Sequence, residues 1–161
     1  MSFEQAPVAR AQLLLRKPVA AVFEAFVDPA ITSRFWFSKG SGRLEPGAQV
    51  RWDWEMYGIG TDVEVRAISP DRRILIQWDG PDNPTEVEWT FEPRGPDRTW
   101  VDVVNRGFLG EPARQLEQAL DSTGGFALAL AGAKIWLEHG IEPRFVLDRH
   151  PGALVEAWKG R

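Results

Sequence analysis

The sequence predicts an α+β fold, a curved antiparallel sheet wrapped around one long C-terminal helix. Three observations point to it. Between positions 49 and 106, apolar and polar residues alternate over several consecutive segments. Glycine, proline and aspartate punctuate those segments at short intervals. From Pro112 the apolar period lengthens to three and four residues and holds for about seven helical turns.

Taken in order, Val8 to Leu15 is an apolar-leaning strand that stops at Arg16, Lys17 and Pro18, where the fixed φ of proline suits the start of a helix. Val19, Val22, Phe23, Phe26 and Val27 then fall on one helical face, and Asp28-Pro29 ends it. A second short helix carries Ile31, Phe35 and Trp36, and the Gly- and Ser-rich stretch 38–47 reads as a loop. In the first meander strand Val50, Trp52, Trp54 and Met56 point one way, with Gln49, Arg51, Asp53 and Glu55 opposite. Gly58 and Gly60 turn the chain into Val63, Val65 and Ala67, and Ser69-Pro70-Asp71 turns it again into Ile74, Ile76 and Trp78. After the breakers at 80–84 come Val87, Trp89 and Phe91, then a hairpin at 93–97 into Thr99–Arg106. Both faces of that last strand carry apolar residues, and Val101, Val103 and Asn105 are taken as the inward set. The sheet thus has about six strands.

The final helix reads through Leu116, Leu120, Thr123, Ala127, Leu130, Lys134 and Leu137 to His139-Gly140, a C-cap signal. Gly124 and Gly125 in its interior each cost about 1 kcal/mol against alanine, so close packing or a helix break must accompany them. Residues 1–140 form the domain; 141–161 form a C-terminal extension expected to pack on it or on a second chain through Leu154, Val155 and Trp158.

Composition bounds the chemistry. A chain of 161 residues buries roughly 70% of its unfolded surface, enough for a real core. It lacks the ~18 uninterrupted apolar residues of a membrane helix, and its start has no leader-like layout, so a cytoplasmic protein is expected. There is no cysteine, hence no disulfide, thiolate nucleophile or sulfur-ligated metal. Acidic and basic residues alternate around a net charge of −4, which argues against nucleic acid as a partner. Eight Trp and nine Phe against one Tyr suit either a thick core or the wall of an apolar cavity.

His139 lies at a helix end and His150 in a proline-flanked tail, and both read as cap or surface residues. The pairs Asp53/Glu55 and Asp62/Glu64 fall on outward positions, within reach of Arg51 and Arg66. No serine has a neighbouring histidine, no ligand spacing suggests a metal and no glycine cluster forms a phosphate loop, so neither metal nor cofactor is expected. What remains is a wall of Trp52, Trp54, Trp78, Trp89, Met56 and Phe91 facing Leu120, Phe126, Ala127 and Leu130 of the final helix. The small residues Gly124, Gly125, Ala127, Ala129, Ala131 and Gly132 leave space a filled core would close. The candidate ligand contacts are Trp36, Trp52, Trp54, Trp78, Trp89, Asn105, Phe126 and Leu130, with Asn105 supplying hydrogen bonds to the ligand or to neighbouring backbone.

Several segments also carry a resemblance. Val22-Phe23-Glu24-Ala25-Phe26-Val27-Asp28-Pro29 with Phe35-Trp36, Leu44-Glu45-Pro46-Gly47, Glu88-Trp89-Thr90-Phe91-Glu92-Pro93, Asn105-Arg106-Gly107-Phe108, and Gly124-Gly125-Phe126 leading to Lys134–Gly140 resemble, in order and spacing, the START-like (SRPBCC, helix-grip) superfamily. The branch is that related to the activator of Hsp90 ATPase, and the likeness covers about residues 8–140. It implies a helix-grip fold whose members differ widely in ligand and activity, most of them binding something apolar; with the aromatic wall facing a small-residue helix, the expectation is a binder of a small, mostly hydrophobic molecule without catalysis. It leaves two alternatives, an enzyme of the cyclase or hydrolase type using the same cavity and a partner of an Hsp90-type chaperone; separately, Phe145, Val146 and Leu147 of the tail allow a homodimer. Asn105 stands where relatives often have His, and Phe126 where Trp is commoner.

Overall fold

The computed structural model describes residues 2–161. Seven antiparallel strands form one sheet: β1 (Ala9–Leu15), β2 (Lys39–Gly40), β3 (Gln49–Trp54), β4 (Ile59–Ser69), β5 (Arg73–Trp78), β6 (Thr85–Pro93) and β7 (Thr99–Arg106). Their order is β1-β7-β6-β5-β4-β3-β2. Helices α1 (Val19–Val27), α2 (Pro29–Thr32), α3 (Pro112–His139) and α4 (Phe145–Arg149) complete the α+β fold. No helix among the described residues is long and apolar enough to cross a membrane.

The meander pairs each strand with its predecessor, so the alternation of apolar residues becomes one inner face: Val63, Val65, Ile74, Ile76, Val87, Trp89, Phe91, Val101 and Val103 are buried. Asn105 shares that face. Asp28 is where the chain turns between α1 and α2, its carboxylate accepting from the Ala30 amide at 3.0 Å, while Pro29 occupies the first turn of α2.

Five local expectations are corrected. The stretch 38–47 is not wholly loop, because Lys39 and Gly40 pair with Asp53 and Trp52 and add a seventh strand. The second short helix stops at Thr32, leaving Phe35 and Trp36 beyond its end. Met56 lies in a 3-10 turn (Glu55–Tyr57) and not on the strand, so it leaves the inner wall and packs under the tail near Trp158. A β-bulge between Val65 and Ala67 shifts the alternation of β4 by one residue, which brings Ile68 opposite Ile74 and against the core in place of Ala67.

The fifth correction concerns the phase of α3. Its buried residues are Ala119, Phe126, Ala129, Leu130, Gly132 and Ala133, whereas Leu120 is 66% exposed and Ala127 is also on the outside. Small residues here admit close neighbours. A Cβ on Gly132 would sit 3.0 Å from the Phe35 carbonyl oxygen and 3.2 Å from Pro143 Cγ, and Cβ atoms on Gly124 and Gly125 would meet the Arg149 guanidinium at 2.8 and 3.0 Å. Close packing is therefore what accompanies the two glycines, and the helix runs on unbroken. Gly140 then ends it in the left-handed conformation (φ 66°).

The extension folds back on the domain. Tyr57 donates its hydroxyl hydrogen to the Val146 carbonyl, the Val155 amide donates to the Met56 carbonyl at 2.8 Å, and Arg149 reaches the Asp121 carboxylate at 3.2 Å. Helix phase is testable: Leu130→Ala is expected to cost about 2–5 kcal/mol in urea unfolding, while Leu120→Ala stays within about 0.5 kcal/mol of the parent. Equal losses at the two positions would put the helix in the other rotation.

Candidate functional site

The rings do not leave a general gap between sheet and helix. Trp36, placed just beyond α2, reaches into the middle of the fold and meets Trp52 (centroids 5.1 Å apart), Phe126 (5.5 Å), Trp54 (5.7 Å), Trp78 (6.0 Å) and Trp89 (6.1 Å). Phe23 and Phe26 of α1 pack on Phe91 from the other side. The end of the sheet nearest α1 is thereby filled with protein.

The opposite end is open. A cavity of about 400 Å³ lies where β3 ends, β4 begins, β5 ends, β6 begins and β7 ends, beneath the first half of α3. Of the eight sequence-predicted residues, Trp36, Trp54, Trp78, Asn105 and Phe126 line it. Trp52, Trp89 and Leu130 do not; each is at most 2% exposed and belongs to the packed core. They lie further along their elements toward the filled end, a position that alternation alone does not report.

At the inner end of the cavity sits a polar knot set by strand register. Thr85 is directly opposite Trp78, and Asn105 is opposite Val87, two residues along the same face from Thr85. The Trp78 indole N–H donates to Thr85 Oγ1 at 2.9 Å. Asn105 Nδ2 donates to the same oxygen at 3.0 Å and to the Glu86 carbonyl at 2.7 Å. From α3, the Ser122 hydroxyl donates to Asn105 Oδ1 at 2.7 Å. Asn105 is 2% exposed, so without these partners its burial would be unfavourable by several kcal/mol on the order of an unmade hydrogen bond each.

The mouth carries charge that sequence reading missed. Asp79 follows β5 with φ 60°, and its backbone N–H donates to Thr61 Oγ1 at 3.0 Å. Crowding by protein raises its carboxyl pKa above the usual aspartate range, against an opposing hydrogen bond from Thr61. Arg149 and His150 come from the tail, together with Val146. The His150 ring lies 6.0 Å from that of Tyr57 in an edge-on arrangement, so this histidine is at the cavity rim and not on a remote surface. Nothing in local spacing links residues 149 and 150 to 79; only the fold-back of the tail does.

The family model described as "Activator of Hsp90 ATPase homolog 1-like protein" matches residues 16–132. The chain belongs to this family. Among solved structures, this Hsp90-activator-like chain is similar to protein SSP2350 from Staphylococcus saprophyticus, at 26% identity and a TM-score of 0.72 over 85% of this chain and 96% of that one. It is similar to CalU16 from Micromonospora echinospora at 19% identity and a TM-score of 0.66, with 96% of each chain covered, so that likeness of fold extends into the tail. The Aha1 dimer from Colwellia psychrerythraea follows at 18% identity and a TM-score of 0.69, over 83% and 97% of the two chains. No curated protein matches the chain.

Two outcomes follow for this family member. Thr85→Val keeps the shape but strips the acceptor from two donors, and is expected to lower unfolding free energy by about 1–3 kcal/mol, whereas Thr85→Ser stays near the parent. For Asp79, a folded-state pKa above the ordinary 3.8 means that the folded protein holds this proton more tightly than the unfolded chain. Its contribution is fully present below pH 3.8 and is lost as pH rises through the raised value. Asp79→Asn should therefore gain melting temperature relative to the parent at pH 7, with the advantage shrinking at pH 3; a gain independent of pH would assign the effect to the backbone at that position.

Proposed function

We propose that this protein is a cytoplasmic binder of a small, mostly hydrophobic molecule, held in the cavity between the open end of the sheet and the first half of α3. The observation that carries the reading is the pairing of an aromatic wall with one buried polar knot in a space of about 400 Å³, a size and composition typical of small-molecule sites. Trp36, Trp54, Trp78 and Phe126 supply the apolar contact, and Asn105 organises the polar end. The core residues Trp52, Trp89 and Leu130 act behind them by holding those rings in place.

The neutral dye N-phenyl-1-naphthylamine should bind saturably with a rise in fluorescence. Ser122→Phe, which fills the inner end, is expected to weaken it by about tenfold or more, and Leu120→Phe, on the exposed side of the same helix, to change it by less than about twofold. No uptake by the parent protein, or equal effects of the two variants, would count against the cavity as the binding site.

A second reading is an enzyme of the cyclase or hydrolase type, which needs an ionisable group facing the cavity. Asp79, with its raised pKa, meets that need. Under this reading a bound molecule is converted by the parent and is bound but unconverted by Asp79→Asn. The family description also suggests an Hsp90-type chaperone partner, for which co-purification with a bacterial Hsp90 is the test. The dimer of the Colwellia protein likewise suggests a homodimer, to be read from light scattering.

A further inference from the structure

Resting on the reading of the cavity as a binding site, we infer that the molecule it holds ends in a neutral hydroxyl, an alcohol or phenol, seated between Thr85 and Ser122. The proton directions in the knot carry this. The Glu86 carbonyl can only accept, and it lies 2.7 Å from the Asn105 amide, so the group facing it is the NH2. The second hydrogen of that NH2 goes to Thr85 Oγ1. The Trp78 indole N–H, a donor with no acceptor capacity, takes the other lone pair of the same oxygen. Thr85 is thus filled as an acceptor, and its own O–H has no protein acceptor among the described residues.

On the other side, Asn105 Oδ1 can only accept, so the Ser122 hydroxyl hydrogen is committed to it at 2.7 Å and the serine lone pairs are left over. Thr85 and Ser122 both line the cavity. The space is therefore offered one hydrogen-bond donor, from Thr85, and one acceptor, from Ser122, with their senses fixed through Asn105. A hydroxyl is the smallest group that accepts from the first and donates to the second. An ether or carboxylate can only accept, and an ammonium only donate. An ionised end would also meet a knot whose centre, Asn105, is 2% exposed and uncharged.

The test uses the intact chain and four naphthalene probes: 2-naphthol, 2-methoxynaphthalene, naphthalene and 2-naphthoate. Binding is followed on the indole N–H resonance of Trp78. The expected order is naphthol, then methoxynaphthalene, then naphthalene, with naphthol ahead of naphthalene by about tenfold and ahead of naphthoate. Ser122→Ala should bring naphthol down to the methoxynaphthalene level. Thr85→Val should bring both toward naphthalene, and Thr85→Ser should restore them; if Thr85→Val does not fold, the Ser122→Ala comparison decides alone. Equal affinities for naphthol and naphthalene in the parent, or tightest binding of naphthoate, overturn the hydroxyl assignment and leave the cavity reading standing. Failure of every probe to bind overturns both.

Discussion

The structure turns on the placement of one ring, that of Trp36. A helix laid across a curved sheet must have its interior filled, because protein interiors pack at crystal-like density and an apolar void forfeits contacts on every side. Trp36 enters from the segment after α2 and lies against Trp52, Trp54, Trp78, Trp89 and Phe126. Each such pair contributes about 0.5–1.5 kcal/mol beyond its buried area. The same ring divides the interior: behind it is core, and in front of it is the cavity.

The cavity's inner end depends on that division and on sheet register. Thr85, Trp78 and Asn105 meet because β5, β6 and β7 pair without slippage, and a one-residue slip of any one of these strands would send its member of the trio to the solvent face. Ser122 joins them only because α3 is rotated so that Ala119, Ser122 and Phe126 lie toward the sheet while Leu120 looks outward. The knot is fully satisfied apart from one donor and one set of lone pairs, so it is stable as a core feature and still able to address a ligand.

The extension bears on both stability and the mouth. The Arg149 guanidinium lies over Gly124 and Gly125, where an added Cβ would displace it, and reaches the Asp121 carboxylate. The conformational cost of two glycines in a helix is thus linked to the presence of the tail. The same contact delivers Arg149 and His150 to a rim that already holds Asp79, placing opposite charges at the entrance of a largely apolar space.

By itself the sequence determined the α+β class, the order of the longer strands and helices, the inward set Val101, Val103 and Asn105, and the aromatic character of the interior, because period-two and period-three-to-four patterns are local records of which face is buried. The family was legible separately, as a resemblance carried by the order and spacing of motifs such as Val22–Pro29 and Glu88–Pro93. Only the tertiary structure decided that Lys39 and Gly40 complete the sheet, that a bulge replaces Ala67 by Ile68, and that Leu120 and Ala127 are outside. It alone separated Trp52, Trp89 and Leu130, which are core, from Trp36, Trp54, Trp78, Asn105 and Phe126, which face the cavity. Periodicity reports the face a side chain occupies but not its position along the element, and it carries no information on residues such as Asp79, Arg149 and His150 that a distant fold-back brings together.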